Sequence, residues 1–304
     1  NHTSVELELK NPKLWFPWDH PELGTPALYT LHSQILCRGE CWDERTDRFG
    51  IRTVRLGGEL DEKGDERRGP DAYHWYINGR RIFIRGTNYI STEWMSRVTR
   101  EFYERDVKLL KKANMNMIRV HAHVEPPLLY DVLDEQGIMV WQDFTLQWGY
   151  RSDPGFIDKC RRMLAEMIYL HYNHPSVVLW CCHNEPLWIW FRVGNKRLDD
   201  ELFKIATFID RSRPVHKASG KGDSHIYLGW YGNVFTKVRK RKDPFPTEFG
   251  SQAVPLGFKR WVEDAWPPNW KKWRYHDGQL SILCTYLGSW KKYKSFEDFA
   301  MASQ

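Results

Sequence analysis

Residues 177–186 read Val177-Val178-Leu179-Trp180-Cys181-Cys182-His183-Asn184-Glu185-Pro186. The six apolar residues do not alternate with polar ones, and the run is short and rich in β-branched and aromatic types. That pattern fits a strand covered on both faces, as in a parallel sheet flanked by helices. The polar His183-Asn184-Glu185 then stands at the strand's C-terminal end. In an α/β barrel this is where the active-site groups lie.

The same arrangement repeats on either side. Ile82-Phe83-Ile84, Met117–Val120 and Ile138–Trp141 read as strands before it, and Val215–Ala218, Ile226–Leu228 and Pro246–Phe249 as strands after it. Between them the periodicity predicts helices over Thr99–Ala113, with Thr99 as N-cap, and over Pro127–Gln136, Phe156–Tyr172 and Asp199–Asp210. About seven βα units in this order predict an α/β protein, a TIM-type (β/α) barrel. An open doubly wound sheet would also alternate, but no Gly-rich phosphate loop follows the first strand. From Phe249 to Gln304 the chain reads as helical or irregular with no clear eighth strand, so the barrel is expected to lack its last strand.

Before the barrel, Ser4–Leu9, Ala27–Leu36 and Phe49–Leu56 read as strands, with a turn at Arg38-Gly39-Glu40. A complete sandwich takes about seven strands, so this is expected to be part of an immunoglobulin-like β-sandwich. The charged, aperiodic Glu59–Asp71 marks the boundary. The division expected is therefore residues 1–70 for the partial sandwich and residues 71–304 for a C-terminally truncated barrel.

Composition narrows the classes. The 304 residues carry 45 Lys+Arg against 39 Asp+Glu, a net +6, with 41% hydrophobic and 28% charged residues of mixed sign. Such a chain has material for a core and is not disordered. No apolar run approaches the roughly 18 residues of a membrane span. The six cysteines include no C-x-x-C pair, which argues against a disulfide scaffold or structural zinc. Cys181 and Cys182 read as free core thiols, and Cys37 and Cys41 are expected to stay unpaired, which favours a reducing compartment, the cytoplasm. The Asn-His-Thr sequon at the first residue carries no weight. Aromatic residues make up 15% of the chain, a supply of flat faces suited to sugar rings or bases, with core filling as the plain alternative.

Glu185 and Glu248 each end a strand candidate. Glycosidic bond cleavage needs two carboxyls flanking the bond, one to protonate the leaving oxygen and one to attack or to activate water. A rim salt bridge is the ordinary role of one such Glu, and two at strand ends point to chemistry. The His121-Ala122-His123 sequence with Glu125 offers a rival, a metal-dependent hydrolase of the amidohydrolase kind. It is the weaker reading, because no further His or Lys set completes the site. Lys237–Lys242 is a basic run, read as a solvated loop and not as a nucleic-acid site because no aromatic residue interleaves with it. A non-catalytic fragment is the third alternative.

Around the two carboxylates, WCCHNEP (180–186) and PTEFGSQ (246–252) resemble the acid/base and nucleophile motifs of glycoside hydrolase family 2, the β-galactosidase, β-glucuronidase and β-mannosidase family. NPKLWFPWDHPELGTPALYTL (11–31) and RFGIRTVRL (48–56) resemble the family's sandwich domain. INGRRIFIRGTNYI (77–90), LLKKANMNMIRVH (109–121) and LYDVLDEQGIMVWQDF (129–144) resemble its first barrel units. WQDF and SFEDFAMASQ (295–304) are most like the β-mannosidase branch, whereas VHAHVEPPLLYD (120–131) stands where that branch has a Trp- and Gly-rich stretch. The resemblance implies a retaining exo-β-glycosidase, β-mannosidase-like, with exo-β-glucosaminidase or β-galactosidase specificity as the alternative. It implies Glu185 as general acid/base, Glu248 as nucleophile, and Asn184 as the partner of the sugar 2-position. Arg119 would lie near Glu248 and keep it charged, and Tyr227, in a His225-x-Tyr227 stretch, would donate to it. Trp230 and Trp141 are the aromatic candidates for stacking on sugar, with core packing an equal alternative for Trp141, and His121, Asn88 and Asp143 complete the expected rim. No cofactor and no metal is implied. The expected partner is carbohydrate, with no nucleic acid and no membrane, and with further domains of a longer parent chain or an oligomer completing the fold.

Overall fold

The computed structural model describes residues 5–92, 94–191, 196–227, 245–250, 253–254, 256–260, 265–270, 283–284 and 287–304. The stretch at 5–9, expected as a strand, takes no regular structure, and Val5, Leu7 and Leu9 are exposed. Its alternation finds no sheet to pack on among the described residues. The first strands are β1 (Tyr29–Cys37) and β2 (Glu40–Phe49), an antiparallel hairpin turned at Arg38 and Gly39. Because β2 is solvated along nearly all its length, ECWDERTDRF carries no buried-face signal, and the sequence reading passed over it.

Four short strands and β3 follow before the barrel: β3 (Val54–Leu56), β4 (Glu59–Leu60), β5 (Arg67–Arg68), β6 (Trp75–Ile77) and β7 (Arg80–Ile82). β4 pairs with β5 inside the charged stretch, and β3, β6 and β7 form an antiparallel sheet. One expected strand needs correction here. Ile82 closes β7 of this antiparallel sheet, on a two-residue Asn78-Gly79 turn with both φ positive, and Phe83 beyond it is exposed. The first parallel strand is instead β8 (Gly86–Tyr89), whose exposed and half-buried residues lack the apolar signature of a barrel strand.

From β8 the chain runs α1 (Arg100–Lys112), β9 (Met117–Val120), α2 (Pro127–Gln136), β10 (Met139–Asp143), α3 (Pro154–His171), β11 (Val177–Cys181), α4 (Trp188–Phe191), α5 (Lys196–Ile209) and β12 (Val215–His216). The five strands form one parallel sheet in sequential order, the progression of a (β/α) barrel. Local sequence sets the helix ends. Thr99 and Asp153 cap α1 and α3 by accepting the N–H three residues on, and Pro127 and Pro154 occupy first-turn positions. Gly137 ends α2 in the left-handed conformation, and a Cβ there would lie 2.7 Å from the Trp18 backbone nitrogen. Every residue of β9, β10 and β11 is buried, sandwiched between neighbouring strands' side chains and helix faces such as Val107, Leu129, Leu133, Leu164 and Leu202.

The residues before the barrel are fastened to the N-terminal ends of its strands. Trp15, fully buried, donates its indole N–H to the Asp134 carbonyl at 2.9 Å, and Trp18 donates to Met115 O at the same distance. Arg52 donates to the carbonyls of Pro175 and Val177. Burial, reinforced by the Arg213 charge, pulls the Arg52 pKa down to about 9.

Packing divides the chain into two compact units, 1–223 and 224–304, and the expected boundary at residue 70 falls within the first, between β5 and β6. In the second unit β13 (Ser224–Ile226) and β14 (Pro246–Phe249) form a parallel pair. β14 matches its expected bounds, whereas β13 begins at Ser224 rather than Ile226. α6 (Phe296–Ser303), capped by Ser295, packs Phe296 and Phe299 against Trp266, and Phe299 also against Trp270. Among the described residues no helix is long and apolar enough to cross a membrane.

His171 lies on the buried face of α3, its ring 3.9 Å from that of Tyr130 between centroids, and neither ring nitrogen has a hydrogen-bond partner. Burial, helped by the nearby His174, pushes its pKa down from 6.5 to about 3. The unfolded chain therefore takes up the proton first. Stability from this group is complete above pH 6.5 and is lost as pH falls from there toward 3. Substituting His171→Phe, which keeps the ring, is expected to shrink the acid-side fall in the urea midpoint compared with the unsubstituted chain.

Candidate active site

Arg119 is an arginine in the middle of a buried strand, 4% exposed. A charge there is tolerated only if it is paired and hydrogen-bonded. Its partner is Asp143, fully buried at the end of β10. Arg119 Nε lies 3.1 and 2.9 Å from the two carboxylate oxygens, and one Nη lies 2.9 Å from Oδ2. The Asp143 carboxylate also accepts the Trp141 indole N–H at 2.6 Å and the Ala122 backbone N–H at 3.0 Å. Ala122, at φ 54°, makes a turn at the end of β9 that the carboxylate stabilises.

The same Nη also reaches across the sheet and donates to Asn184 Oδ1 at 2.6 Å. That contact fixes which way the amide points. Its Nδ2 then donates to His121 Nε2 at 3.1 Å, which makes that imidazole nitrogen the unprotonated one. Asn184 is 1% exposed and continues the parallel ladder past β11 as isolated bridges to Gln147 and Ser219. Glu185 follows, half-buried and at φ 48°, its N–H donating to Ser219 O at 3.0 Å. A non-glycine residue in the left-handed region is strained, and such strain concentrates where a side chain must be aimed. His183, fully buried, is anchored by its Nδ1 to Asp199 at 2.7 Å, and Trp188 donates to the other oxygen of the same carboxylate.

The remaining candidates lie in the second unit. Glu248, 5% exposed, sits on β14 opposite His225 of β13. The Tyr227 hydroxyl donates to Glu248 Oε2, and His225 Nδ1 lies 3.4 Å from the same oxygen. Trp230 and Lys237–Lys242 lie outside the described residues.

Two protein-family models match this chain. One described as "Glycosyl hydrolases family 2, TIM barrel domain" covers residues 71–252, and one described as "Glycosyl hydrolases family 2" covers residues 1–52. The chain belongs to glycoside hydrolase family 2. Its fold is therefore a TIM-type barrel preceded by part of the family's β-sandwich. Among its relatives in the family, β-mannosidase B of Thermothelomyces thermophilus is 30% identical over 83% of this chain and 33% of its own length. A putative β-glucuronidase of Formosa agariphila is 26% identical over 79% of this chain and 29% of its own. The crystal structure of β-D-mannosidase from Dictyoglomus thermophilum matches with a TM-score of 0.80 and 28% identity, covering 98% of this chain and 39% of that one. The chain spans about a third of the length of the curated relatives it matches.

Within this family 2 chain the structure draws Arg119, His121, Trp141, Asp143, Asn184 and Glu185 into one cluster, and His225, Tyr227 and Glu248 into another. Of the two readings of Trp141, core packing holds. Trp141, 2% exposed, lies under the Arg119 guanidinium at 5.2 Å with its edge against His216, so it supports the ion pair and offers no face to a sugar. Asn88 stands beside Arg119 in the register of β8 and β9 and is exposed.

The His-x-His metal reading also fails on geometry. His123 has acceptors at both ring nitrogens, the His121 carbonyl at 3.0 Å and the Glu125 carboxylate at 2.7 Å. Burial alone would lower its pKa, yet the bonds to Glu125 and to the His121 carbonyl together outweigh it and raise the value, while the bonds that Glu125 accepts, from His123 first, hold its own value low against burial. With an acceptor facing each ring nitrogen, His123 turns neither of them to a metal. A second trio, Asp131, Asp134 and His174, is also structurally committed. Asp134 accepts from the Ser176 N–H and pairs with His174, and Asp131 faces Arg48.

Sequence reasoning missed Trp148. It lies in the aperiodic loop Thr145–Tyr150, 56% exposed, and its indole N–H donates to Glu185 Oε2 at 3.1 Å. Its position just beyond a strand's polar end was the available signal. Asp199, buried on α5, was read only as a helix start.

Removing the Asp143 carboxylate leaves a buried guanidinium uncompensated. Asp143→Ala is expected to destabilise the chain by about 3 to 5 kcal/mol in denaturant unfolding. The double substitution Arg119→Met with Asp143→Leu should recover most of that loss, which separates the cost of an orphaned charge from the net worth of the pair.

Proposed function

We propose that this chain carries the catalytic machinery of a retaining exo-β-glycosidase whose substrate is a terminal β-mannoside. The observation behind this reading is the ordered path from Asp143 through Arg119 to Asn184, which presents Glu185 in a strained turn at the end of a barrel strand. An amide has two donor hydrogens and two lone pairs, so Asn184, though held by Arg119 and His121, retains capacity to bond a sugar hydroxyl beside the anomeric carbon.

In the first step Glu185 gives its proton to the glycosidic oxygen while a Glu248 oxygen bonds to the anomeric carbon. The electron pair of the breaking carbon–oxygen bond leaves with the departing alcohol. Glu185, now a carboxylate, takes a proton from water as the water oxygen attacks the same carbon. Glu248 leaves as a carboxylate, and the two inversions give net retention. Tyr227, bonded to the nucleophile, holds it in position between the steps. The mannoside assignment is supported by the match to a β-mannosidase structure along almost the whole chain, with the glucosaminide and galactoside as the alternatives within the family.

The test is hydrolysis of aryl β-mannoside, β-glucosaminide, β-galactoside and β-glucuronide by the full natural chain. Turnover of the mannoside with retained configuration is expected, and Glu248→Gln should remove it with the fold intact by circular dichroism. Glu185→Gln should lower the rate on a poorly activated aglycone by about 10²- to 10⁴-fold, the worth of a positioned general acid, and azide should restore a β-glycosyl product. Activity that survives Glu248→Gln would overturn the reading.

A further inference from the structure

Trp148 and residues 184–187 are joined at three points. The Trp148 N–H donates to Asn184 O at 3.0 Å, the Leu187 N–H donates to Trp148 O at 3.2 Å, and the indole N–H reaches the Glu185 carboxylate. Both residues sit in the left-handed region, Trp148 at φ 64° and Glu185 at φ 48°. Such a backbone is rare for a bulky residue and persists only where surrounding contacts impose it. The ring so presented is not core material. Trp15, Trp141 and Trp180 are at most 2% exposed, whereas Trp148 keeps more than half its surface open.

Exposure also rises along the cluster, from Asn184 at 1% through half-buried Glu185 to Trp148 at 56%. The indole is therefore the exposed neighbour of Glu185, and the Arg119–Asn184 pair its buried one.

We propose that Trp148 forms the subsite for the leaving group, a sugar ring or an aryl group that stacks on the indole as its bond is cleaved. The inference rests on the reading of Glu185 as the general acid. The acid must reach the oxygen that links the retained sugar to the leaving group, so a side chain within hydrogen-bond distance of its carboxylate borders that bond. The retained sugar is held at the buried side, and the leaving group faces solvent, where the indole stands. Flat apolar faces, the C–H face of a pyranose or an aromatic ring, suit this surface, and the N–H keeps the Glu185 carboxylate aimed. Trp148 thus acts on specificity through the aglycone and as a positioning residue for the acid.

The test compares the full natural chain with its Trp148→Ala and Trp148→Phe variants on two substrates sharing the retained sugar, a β-linked disaccharide and the β-glycosyl fluoride, which has no aglycone to stack. Trp148→Ala is expected to lower kcat/KM for the disaccharide about tenfold more than for the fluoride. The yield of transfer to an added sugar acceptor, relative to transfer to azide, should fall in parallel. Trp148→Phe, which keeps a ring and loses the N–H, should recover much of that acceptor preference. Equal losses on disaccharide and fluoride with an unchanged acceptor ratio would overturn the subsite alone. Absence of turnover of any glycoside by the unsubstituted chain would overturn the glycosidase reading and the subsite with it.

Discussion

A guanidinium buried in the middle of a parallel sheet sets terms for everything around it. Arg119 is buried, so Asp143 stands against it on the neighbouring strand, and the Asp143 carboxylate is in turn ringed by donors. Those donors, Trp141 Nε1 and Ala122 N, organise the ends of β9 and β10. The remaining reach of Arg119 sets the orientation of the Asn184 amide, and that amide in turn dictates which nitrogen of His121 carries its proton. One electrostatic requirement is passed on in this way as a set of directions, from strand to strand, until it reaches the residue before Glu185.

The two ends of the sheet serve different purposes. At the N-terminal ends of the strands, contacts bind the preceding residues to the barrel through backbone carbonyls: Trp15 on Asp134, Trp18 on Met115, and Arg52 on Pro175 and Val177. These are stability contacts, satisfied and closed. At the C-terminal ends the groups are charged, the turns at Ala122, Trp148 and Glu185 are left-handed, and loops replace regular pairing. A barrel separates stability from chemistry in this manner because its strand ends all open toward one face. The thiols of Cys181 and Cys182 lie just below the site, but burial raises the pKa of both, so they belong to the core and not to the chemistry.

In the second unit a shorter pairing achieves a comparable effect. β13 and β14 place His225 directly opposite Glu248, and Tyr227, two residues on, turns its hydroxyl to the same carboxylate oxygen. The hydroxyl and the imidazole converging on one buried oxygen fix the rotamer of the carboxylate.

Much of the barrel was legible from the order of residues. α2 and β14 lie where the pattern put them, and α1, α3, β9, β10 and β11 within a residue or two of it, because proline, glycine and capping side chains punctuate their ends and apolar runs mark buried strands. The errors share a cause. β2 and β8 are solvated, so no burial pattern betrays them, and the apolar Ile82-Phe83-Ile84 was read as a barrel strand although Ile82 ends a hairpin sheet. Local sequence alone determined the alternation of strands with helices and the placing of two carboxylates at strand ends, since these depend on near neighbours and periodicity, and its motifs carried the resemblance to the family. The tertiary structure decided that Trp141 is a buried support and Trp148 the exposed ring beside Glu185, and that His123 pairs with Glu125 and is closed to metal. Those distinctions rest on contacts between residues brought together by folding, and on which of two tryptophans seven positions apart the fold leaves in water.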